Sequence, residues 1–310
     1  MPDSPESDAN KVLEGRDGYL FLTNDTNRVV DQVEGSYRLG QHAIWGTAMA
    51  HAARQAFCRT FSAEYHHVIV PDRENVLSQY LPESVTPGRH GPRPVVQYRE
   101  AGAEQLHEFL YDLAILAGTE EKPSYPRNDT HWTWDGAFRY AGALLTRLGV
   151  DPQLIEMPDA AEHAYDNPGD LGSKIGSPPM RFTLRISPDP AVRPVYDNQL
   201  PNVGRVRITV NPNIPADERW VVMHDSFGEI LTLLLPLCAA KICFIHTSDF
   251  DEIFVKNFRP SKVIMLQIER FFVRQPLNGS DWPALIESQR LLKADVEPDG
   301  LPPLAEIAFA

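Results

Sequence analysis

An aspartate and a histidine separated by one residue, Asp129 and His131 in the segment RNDTHWTWDG, have the side-chain types of a catalytic base and the group that orients it. In extended backbone the side chains of alternate residues project to the same side, so the carboxylate could accept a hydrogen bond from one ring nitrogen of His131. That bond would fix the tautomer of the imidazole and leave the other nitrogen available as a general base. Taken alone, the pair also fits a turn at Asp129 and a histidine at a helix start.

The hydroxyl that this base could activate is Ser226, in the segment VVMHDSFGEI. There a run of the buried-strand type breaks into a helix at His224, Asp225 and Ser226. Ligands of open α/β sheets bind beyond the carboxyl ends of the strands, where the first amides of a following helix can stabilise charge on a substrate oxygen. The pattern therefore predicts a Ser/His/Asp triad with Ser226 as the nucleophile. We interpret Asp225 as the N-cap of the helix rather than as a catalytic residue.

Strand and helix patterns alternate along the chain and would have to bring these two segments together. Thr133 is the predicted N-cap of an amphipathic helix directly after the Asp/His pair. Strands that alternate with helices predict an α/β fold with a mostly parallel sheet flanked by helices. The predicted strands cover 66–71, 219–223, 241–246 and 262–268, and the predicted helices cover 41–63, 99–116, 134–148, 228–240 and 251–257, with a closing helix after Asp281 and Pro283.

A change of pattern between about 151 and 215 predicts an inserted β element. Prolines are frequent there, and apolar residues alternate as in half-buried antiparallel strands at 182–186 and 206–210. We expect a lead-in without structure at 1–11, one α/β domain over 12–295 that contains this irregular β insertion, and a C-terminal tail at 296–310.

Composition excludes several classes of partner. A formal net charge of −13 disfavours binding to nucleic acid or to an anionic membrane surface. The most apolar stretch, 230–240, has about half of the ~20 residues that a membrane helix needs, so we expect no membrane insertion. The N-terminal segment lacks the features of a secretory signal, which predicts a cytoplasmic protein as the sequence is written, or a periplasmic one if the native start has been removed.

Cysteine and glycine motifs give no sign of a cofactor. Cys58, Cys238 and Cys243 lack the paired spacing of a zinc site and read as core thiols. The segment GDLGSKIG at 169–176 does not have the spacing of a phosphate loop, so we assign no nucleotide site to it. We therefore expect neither a metal nor an organic cofactor.

Several motifs together resemble those of the AlgX/AlgJ-like family of SGNH-hydrolase domains, the polysaccharide O-acetyltransferases of alginate export and their relatives. The matching motifs are DTHW followed by GA, DSF at a later strand end, GRDGYLFL, VPDRENV, LPES and ERFF, and they span roughly residues 12 to 275. The resemblance implies an SGNH-like fold and a triad of Asp129, His131 and Ser226. It also implies an acetyl-serine intermediate, an acetyl donor, a carbohydrate acceptor, and association with proteins of polysaccharide synthesis.

The sequence departs from the commoner SGNH pattern at the nucleophile. His224 stands where the GDS motif has glycine, and the separate Gly and Asn of the usual oxyanion hole have no clear counterpart. We expect His224, Arg73 and Trp132 to contact substrate, although packing is the commoner role of such a tryptophan. Arg73 is included because it follows a predicted strand at the same edge of the sheet.

Two other functions remain open from the residues. Asp129, His131, His224 and Asp225 have ligand types that suit the metal of a hydrolase. A catalytically inactive domain could instead bind a glycan through its insertion. The triad also does not distinguish an acetyltransferase from an acetylesterase, because both begin with acetylation of the serine.

Overall fold

The computed structural model describes residues 9–157, 159–187, 190–292 and 303–309. Residues 1–8 of the predicted lead-in, and residues 296–302 and 310 of the predicted tail, lie outside the described residues.

A seven-stranded, mostly parallel sheet forms the centre of the described chain, with strand order β4-β3-β11-β9-β10-β8-β7. The first five strands in that order are parallel to one another, and β8 and β7 extend one edge in the antiparallel sense. Two antiparallel hairpins, β1–β2 and β5–β6, lie outside this sheet. The strands are β1 (Val12–Glu14), β2 (Leu20–Leu22), β3 (Glu64–Val70), β4 (Phe109–Leu110), β5 (Ala161–Asn167), β6 (Met180–Ile186), β7 (Arg193–Asp197), β8 (Val206–Val210), β9 (Arg219–His224), β10 (Lys241–His246) and β11 (Lys262–Ile268).

Helices cover both faces of the sheet, which is why its inner strands are near-continuous apolar runs. Every residue of β10 is buried, and so is every residue of β9 except its first. Among the described residues, no helix combines the length and the apolar character needed to cross a membrane. The α-helices are α1 (Val29–Glu34), α2 (Gln41–Arg59), α3 (Arg73–Val76), α4 (Pro94–Glu100), α5 (Trp134–Arg147), α6 (Gly172–Ile175), α7 (Leu231–Leu234), α8 (Glu252–Phe258), α9 (Trp282–Leu292) and α10 (Leu304–Phe309).

The predicted α/β class with a mostly parallel, helix-flanked sheet is confirmed. Thr133 caps α5 as predicted, with its side chain accepting from Gly136 N. The three cysteines are free and buried, and burial raises the pKa of each thiol to about 12. They are core thiols, as expected.

Two predicted helices are wrong. The spacing of apolar residues in 99–116 does not form one helix, because Gly102 takes a φ of +73° after α4 and Phe109 and Leu110 pair with β3 instead. The predicted helix at 228–240 is only the short α7 followed by a 3-10 turn that contains Pro236, a residue without the N–H that a continued helix requires.

The predicted β insertion has two structural parts. The β5–β6 hairpin forms its own two-stranded sheet, whereas β7 and β8 extend the central sheet. The chain between 151 and 215 therefore both completes the sheet and adds a hairpin beside it.

Candidate active site

Ser226 lies at the carboxyl edge of the sheet, where β9 ends between β10 and β11. It begins a 3-10 turn, Ser226–Gly228, that is capped by the Asp225 carboxylate. One carboxylate oxygen accepts from Phe227 N at 2.9 Å, and the other accepts from Ile268 N, at the end of β11, at 2.7 Å. Asp225 thus fixes the serine turn to the neighbouring strand, which is the N-cap role expected for it.

His131 lies between Asp129 and Ser226 and bonds to both. Its Nδ1 is 2.8 Å from Asp129 Oδ1, and its Nε2 is 2.8 Å from Ser226 Oγ across 95 positions of sequence. Asp129 Oδ1 also accepts from the backbone N–H of His131 at 2.8 Å. The imidazole is therefore oriented by one carboxylate and directed at one hydroxyl, which is the geometry needed for proton transfer from a nucleophilic serine.

His131 and Asp129 shift each other's pKa. Burial lowers the pKa of His131, but the hydrogen bond and the negative charge of Asp129 outweigh it, so the pKa is raised above its ordinary value of 6.5. Burial raises the pKa of Asp129, but the hydrogen bonds from His131 outweigh it and the pKa is lowered. Asp129 is therefore a carboxylate, and the imidazolium form of His131 is stabilised.

A second carboxylate, Asp170, holds the segment that carries the pair. Its backbone N–H donates to Asp129 Oδ2 at 3.0 Å, and its Oδ1 accepts from Thr130 N at 2.7 Å. Its Oδ2 lies 3.8 Å from His131 Nδ1 and helps to raise the pKa of that ring. Asp170 is not predictable from the Asp/His motif, because it lies about forty positions away in a glycine segment whose spacing fits no known loop motif.

Close backbone packing brings this glycine segment against the Asp/His loop. Leu171 N and Gly172 N both donate to the carbonyl of Asn128. Gly169 has a φ of +75°, and a β-carbon there would lie 2.2 Å from Asn128 O. Only glycine fits that approach, so the glycines serve the positioning of Asp129.

Arg73 is not placed to contact substrate, contrary to the expectation from its sequence position. Its side chain is fully buried, and it donates through Nη1 to the carbonyl of Asp129 and through Nη2 to that of Arg127 at 3.3 Å. The strand-end position was right, but the side chain turns inward and supports the backbone of the Asp/His loop.

His224 also differs from the expected substrate contact, whereas Trp132 remains a candidate. His224 is buried, its Nδ1 lies 2.7 Å from Asp225 O, and it lines a separate cavity of about 140 Å³ rather than the cleft at Ser226. Trp132 lines the cleft but is only 3% exposed, because its ring packs against Tyr140 and Phe227. It forms part of the wall and not a free platform.

The four residues considered as metal ligands do not form one site. Asp129 and His131 group with Asp170, whereas the nearest such partners of His224 are Glu229 and His246. The remaining member, Asp225, already accepts two backbone hydrogen bonds with its two oxygens. The alternative of a metal centre built from these four residues is therefore not supported by their placement.

The expected oxyanion donors also need correction. Of the first amides after β9, Phe227 N donates to the Asp225 side chain and Gly228 N donates to the Asp225 carbonyl at 3.0 Å. These two N–H groups therefore donate within the turn. The Ser226 N–H is the backbone donor of the turn that remains for a substrate oxygen.

Ser226 and His131 open into a cleft of about 1140 Å³. Its walls come from the Asp/His loop, from the β5–β6 hairpin, from β7 and β8, and from α7. On the hairpin, the rings of Tyr165 and Phe182 stack with centroids 5.8 Å apart, and Tyr165 is 41% exposed. The cleft can hold a ligand much larger than an acetyl group.

A strand-end serine bonded to the histidine of an upstream Asp-x-His pair, on a mostly parallel sheet, is the arrangement of an SGNH hydrolase-like domain. The sequence model of the family described as SGNH hydrolase-like domain, acetyltransferase AlgX, matches residues 12–201, more than half of the 310 residues. The chain belongs to this family. No curated protein matches it.

Solved structures share the fold at low sequence identity. A DHHW family protein from Eubacterium siraeum is 14% identical, with a TM-score of 0.58, over 87% of this chain and 99% of that one. The O-acetyltransferase domain of Pseudomonas putida AlgJ is 17% identical, with a TM-score of 0.53, over 91% and 99%. Bacillus cereus PatB1 with a sulfonyl adduct is 12% identical, with a TM-score of 0.56, over 88% and 97%. These likenesses agree with the observed fold.

Proposed function

We propose that this chain is a serine-dependent carbohydrate O-acetyltransferase that works through an acetyl-serine intermediate. The observation that carries the proposal is the chain of hydrogen bonds from Asp129 through His131 to Ser226, in which both contacts of the imidazole measure 2.8 Å. Membership of the AlgX acetyltransferase family supports acetyl transfer as the reaction.

In the first half-reaction, Ser226 Oγ attacks the carbonyl carbon of an acetyl ester while His131 Nε2 takes the hydroxyl proton. The tetrahedral intermediate collapses with cleavage of the bond to the donor oxygen, and His131 returns the proton to that leaving oxygen. Asp129 stabilises the imidazolium between these steps. We assign the Ser226 N–H to the oxyanion, since the next two amides are bound within the turn.

In the second half-reaction, a sugar hydroxyl attacks the acetyl-serine carbonyl and gives its proton to His131 Nε2. The bond between the acetyl carbon and Oγ breaks, and Ser226 recovers the proton. Water in place of the sugar would make the enzyme an acetylesterase. The size of the cleft and the stacked aromatic pair of the hairpin favour an oligosaccharide acceptor.

The acetyl-serine is tested by mixing the protein with an activated acetyl ester and measuring intact mass, followed by peptide mapping. We expect one acetyl group on Ser226 and its transfer to an added oligosaccharide. Ser226→Ala should reduce turnover by about 10³-fold or more without loss of the fold. Ser288→Ala, an exposed serine on α9, is the matched control and should keep full activity.

Acetylation elsewhere, or full turnover by Ser226→Ala, would contradict the proposal. A second probe is a sulfonyl fluoride, suggested by the sulfonyl adduct of PatB1. We expect it to label Ser226, and to label the His131→Ala variant much more slowly. An unlabelled protein that binds a glycan would support an inactive binding domain instead.

A further inference from the structure

We propose that the acceptor of this chain is an uncharged saccharide, not one built from uronic acids, and that Arg207 and Glu229 bind its hydroxyl groups. This acceptor class rests on the proposed acetyl transfer from Ser226. A uronic acid has a carboxylate at C6 where the neutral sugar has a hydroxymethyl group, so a chain of uronic acids is a polyanion. The charge of the cleft therefore discriminates between the two classes.

Carboxylates outnumber cationic side chains among the described residues that line the cleft. Six carboxylates stand against four lysine and arginine side chains, and they are Glu121, Asp129, Asp135, Glu162, Asp197 and Glu229. The carboxylates remain in excess when Asp129 is set aside as the partner of His131. The whole chain also has a formal net charge of −13. A polyanion is therefore repelled on approach and again inside the cleft.

The two arginines on the β5–β6 hairpin are each balanced by a carboxylate on the neighbouring strand. Arg181 Nη1 lies 3.4 Å from Asp166 Oδ1, and Arg185 Nη2 lies 4.0 Å from Glu162 Oε2. All four side chains are exposed, so these pairs are weak and can open. Opening a pair frees a cation and a carboxylate together, so the hairpin gains no net positive charge for a uronate.

Arg207, on β8, is more enclosed than the hairpin arginines and lies between two carboxylates. Its Nη2 is 2.8 Å from Glu229 Oε2, and its Nε is 3.5 Å from Asp197 Oδ2. Its Nη1 donates to Thr232 Oγ1 at 3.2 Å. The carboxylate of a uronic acid at Arg207 would lie beside those of Asp197 and Glu229, and like charges so placed repel each other.

The same ion pair suits a hydroxyl group, which can both donate and accept. The N–H of Glu229 donates to Ser226 O at 3.4 Å, so its side chain begins beside the nucleophile. Arg207 holds Oε2 of Glu229, while that side chain stays 37% exposed and can accept from a sugar hydroxyl. A guanidinium has five N–H groups, more than the three contacts of Arg207 use, so a hydroxyl oxygen can accept from it as well.

The hairpin adds an apolar surface for the carbon–hydrogen face of a sugar ring. Tyr165 and Phe182 both line the cleft, and their rings stack with centroids 5.8 Å apart. A neutral sugar combines such an apolar face with hydroxyl groups at its edge. Aromatic rings and a polar ion pair in one cleft match both parts of it.

The test compares acceptors that differ only at C6. The full-length protein is mixed with an activated acetyl ester and with tetrasaccharides of mannose, glucose or galactose, each paired with the tetrasaccharide of its uronic acid. Mass spectrometry then measures acetyl transfer. We expect about 10-fold more transfer, or greater, to the neutral member of each pair that accepts acetyl.

Reaction with the ester alone separates failure of this proposal from failure of the proposed function. If Ser226 is not acetylated, the proposed function is wrong. If acetyl-serine forms but the uronic acids are the better acceptors, or no neutral saccharide accepts acetyl, then only the acceptor class is wrong.

Glu229→Gln keeps the shape of the side chain and removes one negative charge. We expect the ratio of transfer to the neutral over the uronic acceptor to fall by about 3- to 10-fold. Glu287→Gln is the matched control, because it removes the same charge from an exposed position on α9 outside the cleft. It should leave the ratio unchanged. An equal ratio in the wild type and in Glu229→Gln would overturn the role of Glu229.

A salt series on the wild type tests the repulsion without any substitution, and so stays decisive if Glu229→Gln does not fold. Added salt screens the repulsion, so transfer to the uronic acceptor should rise relative to the neutral one. Salt that instead lowers transfer to the uronic acceptor would show that a cation of the cleft binds it, and would overturn the proposal.

Discussion

His131 uses both ring nitrogens at once, so its charge state controls the proposed reaction. Only the neutral ring can accept the proton of Ser226, and the carboxylates of Asp129 and Asp170 both favour the charged ring. The same contacts that orient the base therefore restrict the pH range in which it works.

The pH dependence of acetyl transfer should show this restriction. Because the pKa of His131 is raised, we expect kcat/KM to fall with decreasing pH, with a midpoint above 6.5. Asp170→Asn removes one negative charge near the ring and should move that midpoint to lower pH. An unchanged midpoint, measured over a full pH series for both proteins, would show that Asp170 does not act on the charge of His131.

At the scale of elements, three separate segments hold the Asp/His loop in place. The end of β3 and the start of α3 supply Arg73, the segment 169–172 supplies Asp170 and two amide donors, and α5 continues directly from the loop. The loop is thus fixed from the sheet side and from the side of the β insertion. Variants in these segments should alter catalysis without touching substrate.

Arg73→Met tests the support from the sheet side. It leaves the carbonyl of Asp129 without its buried guanidinium donor, while that of Arg127 keeps the N–H of Leu20, so we expect a loss of about 1.5–3 kcal/mol in the free energy of unfolding. Because Arg73 does not line the cleft, kcat should fall while KM for a small acetyl ester changes little. A rise in KM with unchanged kcat would instead indicate the substrate contact that its sequence position first suggested.

Two glycines with the same backbone conformation test the support from the insertion. Gly169 and Gly176 have φ values of +75° and +68°, so alanine at either should cost about 1 kcal/mol of conformational strain. Only at Gly169 does the new β-carbon also collide with Asn128, whereas nothing lies within 4 Å at Gly176. Gly169→Ala should therefore reduce kcat by about 100-fold through displacement of the pair, and Gly176→Ala should leave kcat unchanged. Equal kinetics of the two variants would contradict this role.

At the scale of the whole molecule, the β5–β6 hairpin encloses the space in front of Ser226, so that the serine lies in a cleft. The hairpin belongs to neither the central sheet nor the helical layers, yet it supplies a wall opposite the triad. Under the proposed function, acetyl transfer and recognition of the acceptor therefore depend on different parts of the fold.

Removal of the aromatic pair should separate these two tasks. Phe182→Ala deletes one ring of the stack with Tyr165, and we expect a higher KM for an oligosaccharide acceptor while acetylation of Ser226 by a small ester keeps its rate. Phe57→Ala alters an aromatic pair outside the cleft and serves as a comparison. Equal effects of Phe182→Ala on both half-reactions would argue against an acceptor role for the hairpin.

Local patterns in the sequence were enough to predict the four central parallel strands, β3, β9, β10 and β11, and to select three residues that the structure brings together. Buried strands are recognisable because they are continuous apolar runs, and α5 because Thr133 and the apolar stripe mark it. The supports of the loop were not predictable, because Asp170 and Gly169 act through contacts across about forty positions. The false helix at 99–116 arose because helical spacing occurs by chance where β4 instead pairs with the edge of the sheet.

The order of strands also sets when the serine turn can be completed during synthesis. Ser226 follows β9, whose two neighbours in the sheet, β10 and β11, both come later in the chain. Ile268, which binds the carboxylate beside the serine, leaves the ribosome 43 residues after that carboxylate. A nascent chain that already carries Asp129, His131 and Ser226 therefore still lacks the strand whose backbone fixes the serine turn.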